Sequence, residues 1–253
     1  MDINAKKAVI VGGASGMAKA AAEALKAKGA SIAILDLPTS KGAEVAKELG
    51  GTFHPCDVTD FEGTEASLND AIEALGGLHI VVNTAGGGMS KRTISKDGPL
   101  DLAFFQGIIN LNLISTFNIS RLAAWAMSTN EPDELDERGV IINTASIAAF
   151  EGQIGQVAYS AAKAGIAGMT LTMARDLGSL GIRVMSVAPS LMATGLVEGA
   201  PDEIVKVLTK DAAFPKRMGL PSEYATLAVA IVETPMLNGS CIRLDAGQHF
   251  APK

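Results

Sequence analysis

Ser146, Tyr159 and Lys163 have the side-chain types and the spacing to move a proton to and from an oxygen. Tyr159 and Lys163 stand at i and i+4, so on a helix they share one face. An ammonium beside a phenol favours the phenolate and lowers its pKa from an unperturbed value of about 10. The expectation is therefore a tyrosine tuned to give or take a proton near neutral pH. Ser146 follows the apolar run Val140-Ile141-Ile142, which puts it at the carboxyl end of a strand. There its hydroxyl could hold a substrate oxygen while Tyr159 moves the proton. A Tyr-x-x-x-Lys pair also arises on amphipathic helices with no chemistry attached, so the surrounding elements carry the decision.

Those elements alternate from end to end. Apolar runs at Ala8–Val11, Ser31–Leu35, Gly51–His54, His79–Asn83, Gly139–Thr144, Arg183–Ala188 and Ser240–Leu244 read as strands. Helical periodicity marks Ala18–Lys28, Ala43–Leu49, Thr64–Leu75, Leu100–Met127, Ala158–Leu177 and Ser222–Val232. Runs such as Ile80-Val81-Val82 have no polar face, which indicates burial on both sides in a parallel sheet between helix layers. Strands alternating with helices predict an α/β, doubly wound fold, here one domain over 1–253. Irregular stretches fall at Gly86–Pro99, Asn130–Gly139 and Pro189–Pro221, the last with a helical piece at Asp202–Lys210. Loops of that length in a compact domain are functional or mobile, and residues 190–220 are expected to form a substrate lid.

Composition narrows the partners. The net charge of −6 comes without a block of like charges, and a nucleic-acid surface would need a basic stripe. Cys56 and Cys241 have neither metal-ligand nor disulfide-framework spacing, which fits a reducing compartment. The first strand begins too early for a signal peptide, and no run of about 18 apolar residues is present. The expectation is a cytoplasmic protein with no membrane and no nucleic-acid partner.

The amino-terminal end reads as a nucleotide site. Strand one runs into Gly12-Gly13-Ala14-Ser15-Gly16-Met17-Ala18 and an alanine-rich helix. Glycines at such a turn let backbone approach a pyrophosphate, and the helix start offers unpaired N–H groups. Asp36 ends strand two, followed by Leu37 and Pro38 with no Arg. A carboxylate there accepts from the ribose hydroxyls and repels a 2′-phosphate, so NAD is favoured over NADP. Asp57-Val58 after strand three could contact adenine, and Asn83-Thr84-Ala85-Gly86 after strand four could line the cofactor floor. All lie at carboxyl ends of strands, where open α/β sheets bind ligands.

Taken together, the glycine turn, Asp36, Asp57, the Asn83–Gly86 segment, Asn112, Ser146, Tyr159, Lys163 and Pro189–Thr194 resemble the short-chain dehydrogenase/reductase family over essentially the whole chain. The resemblance implies a Rossmann-type sheet, Tyr159 as acid/base and Ser146 as the oxygen anchor. It implies Lys163 lowering the Tyr159 pKa and holding the nicotinamide ribose, and Asn112 in a helix kink holding a water. It implies cofactor contacts from Pro189, Leu191 and Thr194, and a homotetramer. Val11, Ala18, Thr84 and Ser190 depart from the family pattern, and none removes a catalytic group. The segments Asn130–Asp133, Arg138–Ser146, Ala149–Gln153 and Leu237–Gly239 resemble the family's short-chain 3-hydroxyacyl-CoA dehydrogenases. That branch implies a short or branched 3-hydroxyacyl-CoA as substrate. A steroid or general secondary-alcohol dehydrogenase, an NADPH-dependent acyl-carrier reductase and a non-catalytic NAD-binding scaffold are the alternatives.

The remaining residues carry weaker signals. His54, His79 and His249 are scattered and not at metal spacing. Glu151 is expected to be a solvated loop carboxylate, and Trp125, Met169 and Met173 to pack in the core. Met192 is balanced between packing and substrate contact. Lys91, Arg92 and Lys96 form a basic loop that could attract coenzyme A phosphates, and Lys206, Lys210, Lys216 and Arg217 near the expected lid are the other candidate cluster.

Overall fold

In the structure, a computed structural model that describes residues 1–195 and 201–252, each central strand sends alternate side chains to opposite faces. Ile10, Ile32 and Ile34 enter one core, whereas Val9, Val11, Ala33 and Leu35 enter another. This is the two-residue period of an extended chain, and both faces are covered because every second residue on each is apolar. The strands are β1 (Lys7–Val11), β2 (Ser31–Asp36), β3 (Thr52–Pro55), β4 (Ile80–Asn83), then β7 (Gly139–Thr144), β8 (Ile182–Pro189) and β9 (Cys241–Leu244). They form one parallel sheet in the order β3-β2-β1-β4-β7-β8-β9. Between β4 and β7, Ile94–Ser95 (β5) and Gly98–Pro99 (β6) make a small antiparallel hairpin inside the stretch read as irregular. Strand order reverses at β1 and β4, and the crevice outside their carboxyl ends is where a doubly wound sheet takes a ligand.

One helix layer contains α1 (Gly16–Ala27), α2 (Gly42–Glu48) and α8 (Pro221–Glu233). Helix α1 buries Ala18, Ala21, Ala22 and Leu25, an i, i+3, i+4, i+7 stripe whose small side chains let it sit close to the sheet. The other layer contains α3 (Phe61–Leu75), α4 (Leu102–Ile109), α5 (Ser115–Met127) and α6 (Val157–Leu177). Asp60 caps α3 by accepting from the Gly63 N–H at 3.0 Å. The single long helix expected over Leu100–Met127 starts instead at Leu102 and is broken by a π turn at Asn110–Ile114. Asp101, a side-chain cap on the Ala103 N–H at 3.0 Å, sets that start.

One expectation fails on this helix run. By length and composition, Leu102–Met127 is apolar enough to cross a membrane, although the sequence has no unbroken apolar run of that length. Asn112, Thr116, Asn118 and Ser120 interrupt the run but are buried against the sheet. Trp125 is not in the core: it is 77% exposed on the outer face, with Phe117 half exposed nearby. Met173 is buried and Met169 packs beside it, as expected.

The two described legs of the segment after β8 are zipped together. Met192 is buried and forms a parallel bridge with Gly219; Ala193 donates to the Gly219 carbonyl at 2.8 Å and Gly219 to that of Leu191 at 2.9 Å. Met192 is thus a packing residue. Helix α7 (Asp202–Leu208) lies between the legs. Within the lid expected over 190–220, residues 196–200 lie outside the described residues.

Candidate active site

A cleft of about 650 Å³ opens at the carboxyl ends of β1, β2, β3 and β4. Its walls include Gly12, Ser15, Gly16 and Met17 from the first turn, and Asp36, Leu37, Asp57 and Val58 from the next two strand ends. Thr84, Ala85 and Gly86 form the floor, with Thr194 at the far side. These are eleven of the residues nominated as cofactor contacts, plus Thr84. The cleft also takes in Leu35, Cys56, Thr59, Leu111 and Gly195, which the sequence reading did not single out. Leu35 and Cys56 flank the flagged carboxylates, so adjacency was a usable signal. Leu111 had none, because the π turn aims it.

The turn is built for close approach. Gly16 has φ +55°, a region L side chains rarely enter, and a Cβ there would stand 3.0 Å from the Thr194 side chain. Ser15 is extended and its side chain makes no cap to α1, so the helix starts with free N–H groups facing the cleft. Asp36 holds the turn from beside it: its carboxylate accepts from Ala14 N–H at 2.9 Å and Leu37 N–H at 2.7 Å. Val11 brings no hydroxyl to the turn; the first glycine is held by its own N–H donating to the Leu35 carbonyl at 2.8 Å. Asp57 accepts from the Thr59 N–H and hydroxyl, at 2.9 and 2.7 Å, and these bonds hold its pKa below the ordinary value. A glycine cradle at a helix start, an acidic residue at the end of β2 and a floor of small residues fit a dinucleotide.

Asn83 does not line this cleft. It is buried, accepts from the Ala85 N–H at 3.2 Å and donates to Thr116 at 3.4 Å, so it shapes the floor from behind. Pro189 and Leu191 also stand off the cleft, at the end of β8 and the base of the zipped lid.

Tyr159 and Lys163, the residues expected to move a proton, meet the cleft through Gly86–Gly88. Gly86 has φ +145°, and a Cβ on it would lie 2.6 Å from Asn112 Oδ1 and 3.5 Å from Lys163 Nζ. A Cβ on Gly88 would lie 2.9 Å from the Tyr159 ring. Ser146 follows β7, is buried, and caps the 3₁₀ turn Ile147–Ala149 by accepting from Ala148 N–H at 3.1 Å. Lys163 is buried on α6, with its ammonium donating to the Thr144 carbonyl at 2.8 Å and lying 5.6 Å from the Tyr159 ring centre. Thr144 is tied in turn: its hydroxyl donates to the Asn83 carbonyl at 2.8 Å and lies 2.8 Å from the Tyr224 hydroxyl. Tyr224, fully buried on α8 with burial pushing its pKa up to about 12, was not anticipated.

Two expectations need correction, those for Tyr159 and Glu151. The Tyr159 phenol is not tuned downward: burial raises its pKa above the ordinary value, and Ser146 opposes this only in part. Lys163 spends its ammonium on the Thr144 carbonyl, and burial lowers its own pKa to about 8. Asn112, buried in the π turn, clamps the loop after β4: it donates to the Gly87 and Ile108 carbonyls at 2.7 and 2.9 Å and accepts from Gly87 N–H at 3.0 Å. Glu151 is no free loop carboxylate; Arg243 donates to it at 2.7 Å and holds its pKa down.

Among the described residues no group of His, Cys, Asp or Glu is placed to hold a metal. His79 is half buried between Lys6 and Lys7, and burial takes its pKa down to about 4, a structural histidine.

Comparison with known proteins agrees with this geometry. The short chain dehydrogenase family model matches residues 6–204. A 3-hydroxyacyl-CoA dehydrogenase type-2 from Bos taurus is 49% identical over 97% of this chain and 95% of its own. The crystal structure of a 3-hydroxyacyl-CoA dehydrogenase type-2 from Mycobacterium avium superposes with a TM-score of 0.92 at 41% identity, over 99% of this chain and 98% of that one. A 7α-hydroxysteroid dehydrogenase complexed with NADH and 7-oxo glycochenodeoxycholic acid has a TM-score of 0.87 at 28% identity, over 99% and 97%.

Proposed function

From the premise that the chain belongs to the short-chain dehydrogenase family, we propose that it is an NAD-dependent oxidoreductase interconverting a secondary alcohol and a ketone, with a short or branched 3-hydroxyacyl-CoA as substrate. The observation that carries this is the meeting of Tyr159 and Lys163 with the glycine-lined cleft across Gly86–Gly88, with Ser146 hydrogen-bonded to Tyr159. The acyl-CoA assignment is supported by the names of the relatives at 49% and 41% identity. Exposed Lys91, Arg92 and Lys96 also lie on the loop beside the site, which is pinned to Gly155 by the Lys91 N–H at 2.9 Å.

One domain supplies both halves of the reaction, with the segment after β8 as lid. Gly12, Ser15, Gly16 and Met17 would hold the pyrophosphate, Asp36 and Leu37 the adenosine ribose, Asp57 and Val58 the adenine, and Ala85 and Gly86 the middle of the cofactor. Lys163 would hold the nicotinamide ribose, and Thr194 the carboxamide. The bound nicotinamide supplies a hydride acceptor or donor. Ser146 would hold the substrate oxygen by its hydroxyl. In ketone reduction Tyr159, a phenol at neutral pH in this geometry, gives its proton to that oxygen. In alcohol oxidation Tyr159 must first lose its proton to solvent; its phenolate then takes the hydroxyl proton as the carbon–oxygen double bond forms and the hydride passes to the nicotinamide. Asn112 holds the Gly87 backbone in place beside the site.

The test is NADH formation with 3-hydroxyacyl-CoA esters of rising length, beside free secondary alcohols and steroids. Faster turnover of steroids or alcohols than of any thioester would replace the substrate assignment. The same reading makes the protein a homotetramer. Supporting this are Phe117, Trp125, Leu171 and Leu180, apolar and exposed on α5, α6 and the turn after it. The two free cysteines fit a reducing location, the cytoplasm or an organelle matrix.

A further inference from the structure

Resting on the assignment above, we infer that the Glu151–Arg243 pair is a positioning device that sets substrate-length selectivity, by tying the wall after Ser146 to the lid wall through the segment that follows β9.

Glu151 lies just past the 3₁₀ turn that Ser146 starts, and its N–H donates to the Ile147 carbonyl at 3.0 Å. Its carboxylate is a hub: Oε1 accepts from Arg243 Nη1 at 2.7 Å and meets His249 Nδ1 at 2.8 Å, while Oε2 accepts from Arg243 Nη2 and Phe250 N–H, each at 3.3 Å. Arg243 projects from β9, so one end of the hub is anchored in the sheet. The same guanidinium donates to Asp245 at 2.5 Å and to the Gln248 carbonyl at 2.9 Å, and lies 5.6 Å from the Phe150 ring. A planar fork with five N–H donors can serve all these partners at once, which a lysine cannot.

The segment so gripped touches both walls. Toward the Ser146 side, the Ala251 carbonyl accepts from Gln153 at 3.2 Å and that of Pro252 from Ile154 N–H at 3.0 Å. Toward the lid, the Ala246 carbonyl accepts from Ala213 and Phe214 N–H at 3.0 and 3.1 Å, and buried Gln248 donates to Leu208 at the end of α7 at 2.9 Å. The wall residues themselves carry no direct bond of this kind to each other among the described residues. Their separation is therefore held by a shared strap whose only charged fastening to the Ser146 side, among the described residues, is Glu151.

The variants Glu151→Gln, Arg243→Met and their double mutant test this, with 3-hydroxybutyryl-CoA and 3-hydroxyoctanoyl-CoA as substrates. Each single change should alter the ratio of kcat/KM between the two esters by about ten-fold, the scale of pocket-length discrimination. The change should fall mainly in KM, and the double mutant should add little to either single one. Hydrogen exchange gives a readout without substrate: the amides of Ile154, Ala213, Phe214 and Phe250 should lose protection together. An unchanged length ratio, additive losses, or loosening of one wall alone would overturn the strap. If the wild-type protein turns over neither ester, the acyl-CoA assignment falls. The exchange result and a matched pair of short and long ketones then judge the strap by itself.

Discussion

Replacing Lys163 by Met should remove the cost of a buried ammonium that the fold carries. The ammonium is 3% exposed, and burial takes its pKa from 10.5 to about 8. Each unit is worth 1.36 kcal/mol, so keeping this group charged in the folded state costs about 3 kcal/mol. The sign follows from proton counts. Between pH 8 and 10.5 the unfolded chain holds the Lys163 proton and the folded one releases it, so stability rises with pH across that window. Below pH 8 the penalty is present in full. In the Met variant this rise is absent. The variant also orphans the Thr144 carbonyl, a loss of roughly 1–3 kcal/mol that does not titrate. Urea unfolding of both proteins at one fixed concentration, from pH 7 to 10.5, separates the two effects. Wild type should gain about 3 kcal/mol on the variant over that range, whatever their order at pH 7. Parallel curves would show that Lys163 is not depressed in the folded protein, and with it would go the account of why its ammonium leaves Tyr159 untuned.

Tyr159→Phe should lower turnover by about 10²–10⁴ while leaving NAD binding nearly unchanged, read by steady-state rates and a cofactor titration. Asp36→Ala should narrow the preference for NAD over NADP, since the carboxylate at the end of β2 is flanked by Leu37 and Pro38 with no Arg; equal use of both cofactors by the wild type would contradict this. Trp125→Glu should shift sedimentation of the proposed tetramer toward smaller species by placing a charge on the exposed apolar face, and a wild-type monomer would refute the tetramer itself. Neutralising Lys91, Arg92 and Lys96 should raise KM for a thioester but not for an uncharged alcohol, with the difference shrinking as salt rises. Equal loss on both substrates would mark a damaged loop instead.

The sequence alone was enough for the sheet, the helix layers and most of the cofactor cleft. Buried parallel strands must be apolar on both faces, so β4, β7 and β8 announce themselves in Ile80–Val82, Val140–Ile142 and Val184–Ala188. Residues at strand ends inherit their place from the strands, so Gly12, Asp36, Asp57 and Gly86 could be nominated before any coordinate. What the tertiary structure decided is where charges and hydrogen bonds end up. Sharing a helix face with Tyr159 did not make Lys163 its charge partner, because the Thr144 carbonyl of a different element claims the ammonium. Trp125 reads as core until the fold shows which helix face meets the sheet. The widened turn at Asn110–Ile114 and the joining of Glu151 to Arg243, Tyr224 to Thr144, depend on contacts between residues far apart in the chain. Local residue types limit what a side chain is able to do; the partner that uses it is chosen only when the chain closes on itself.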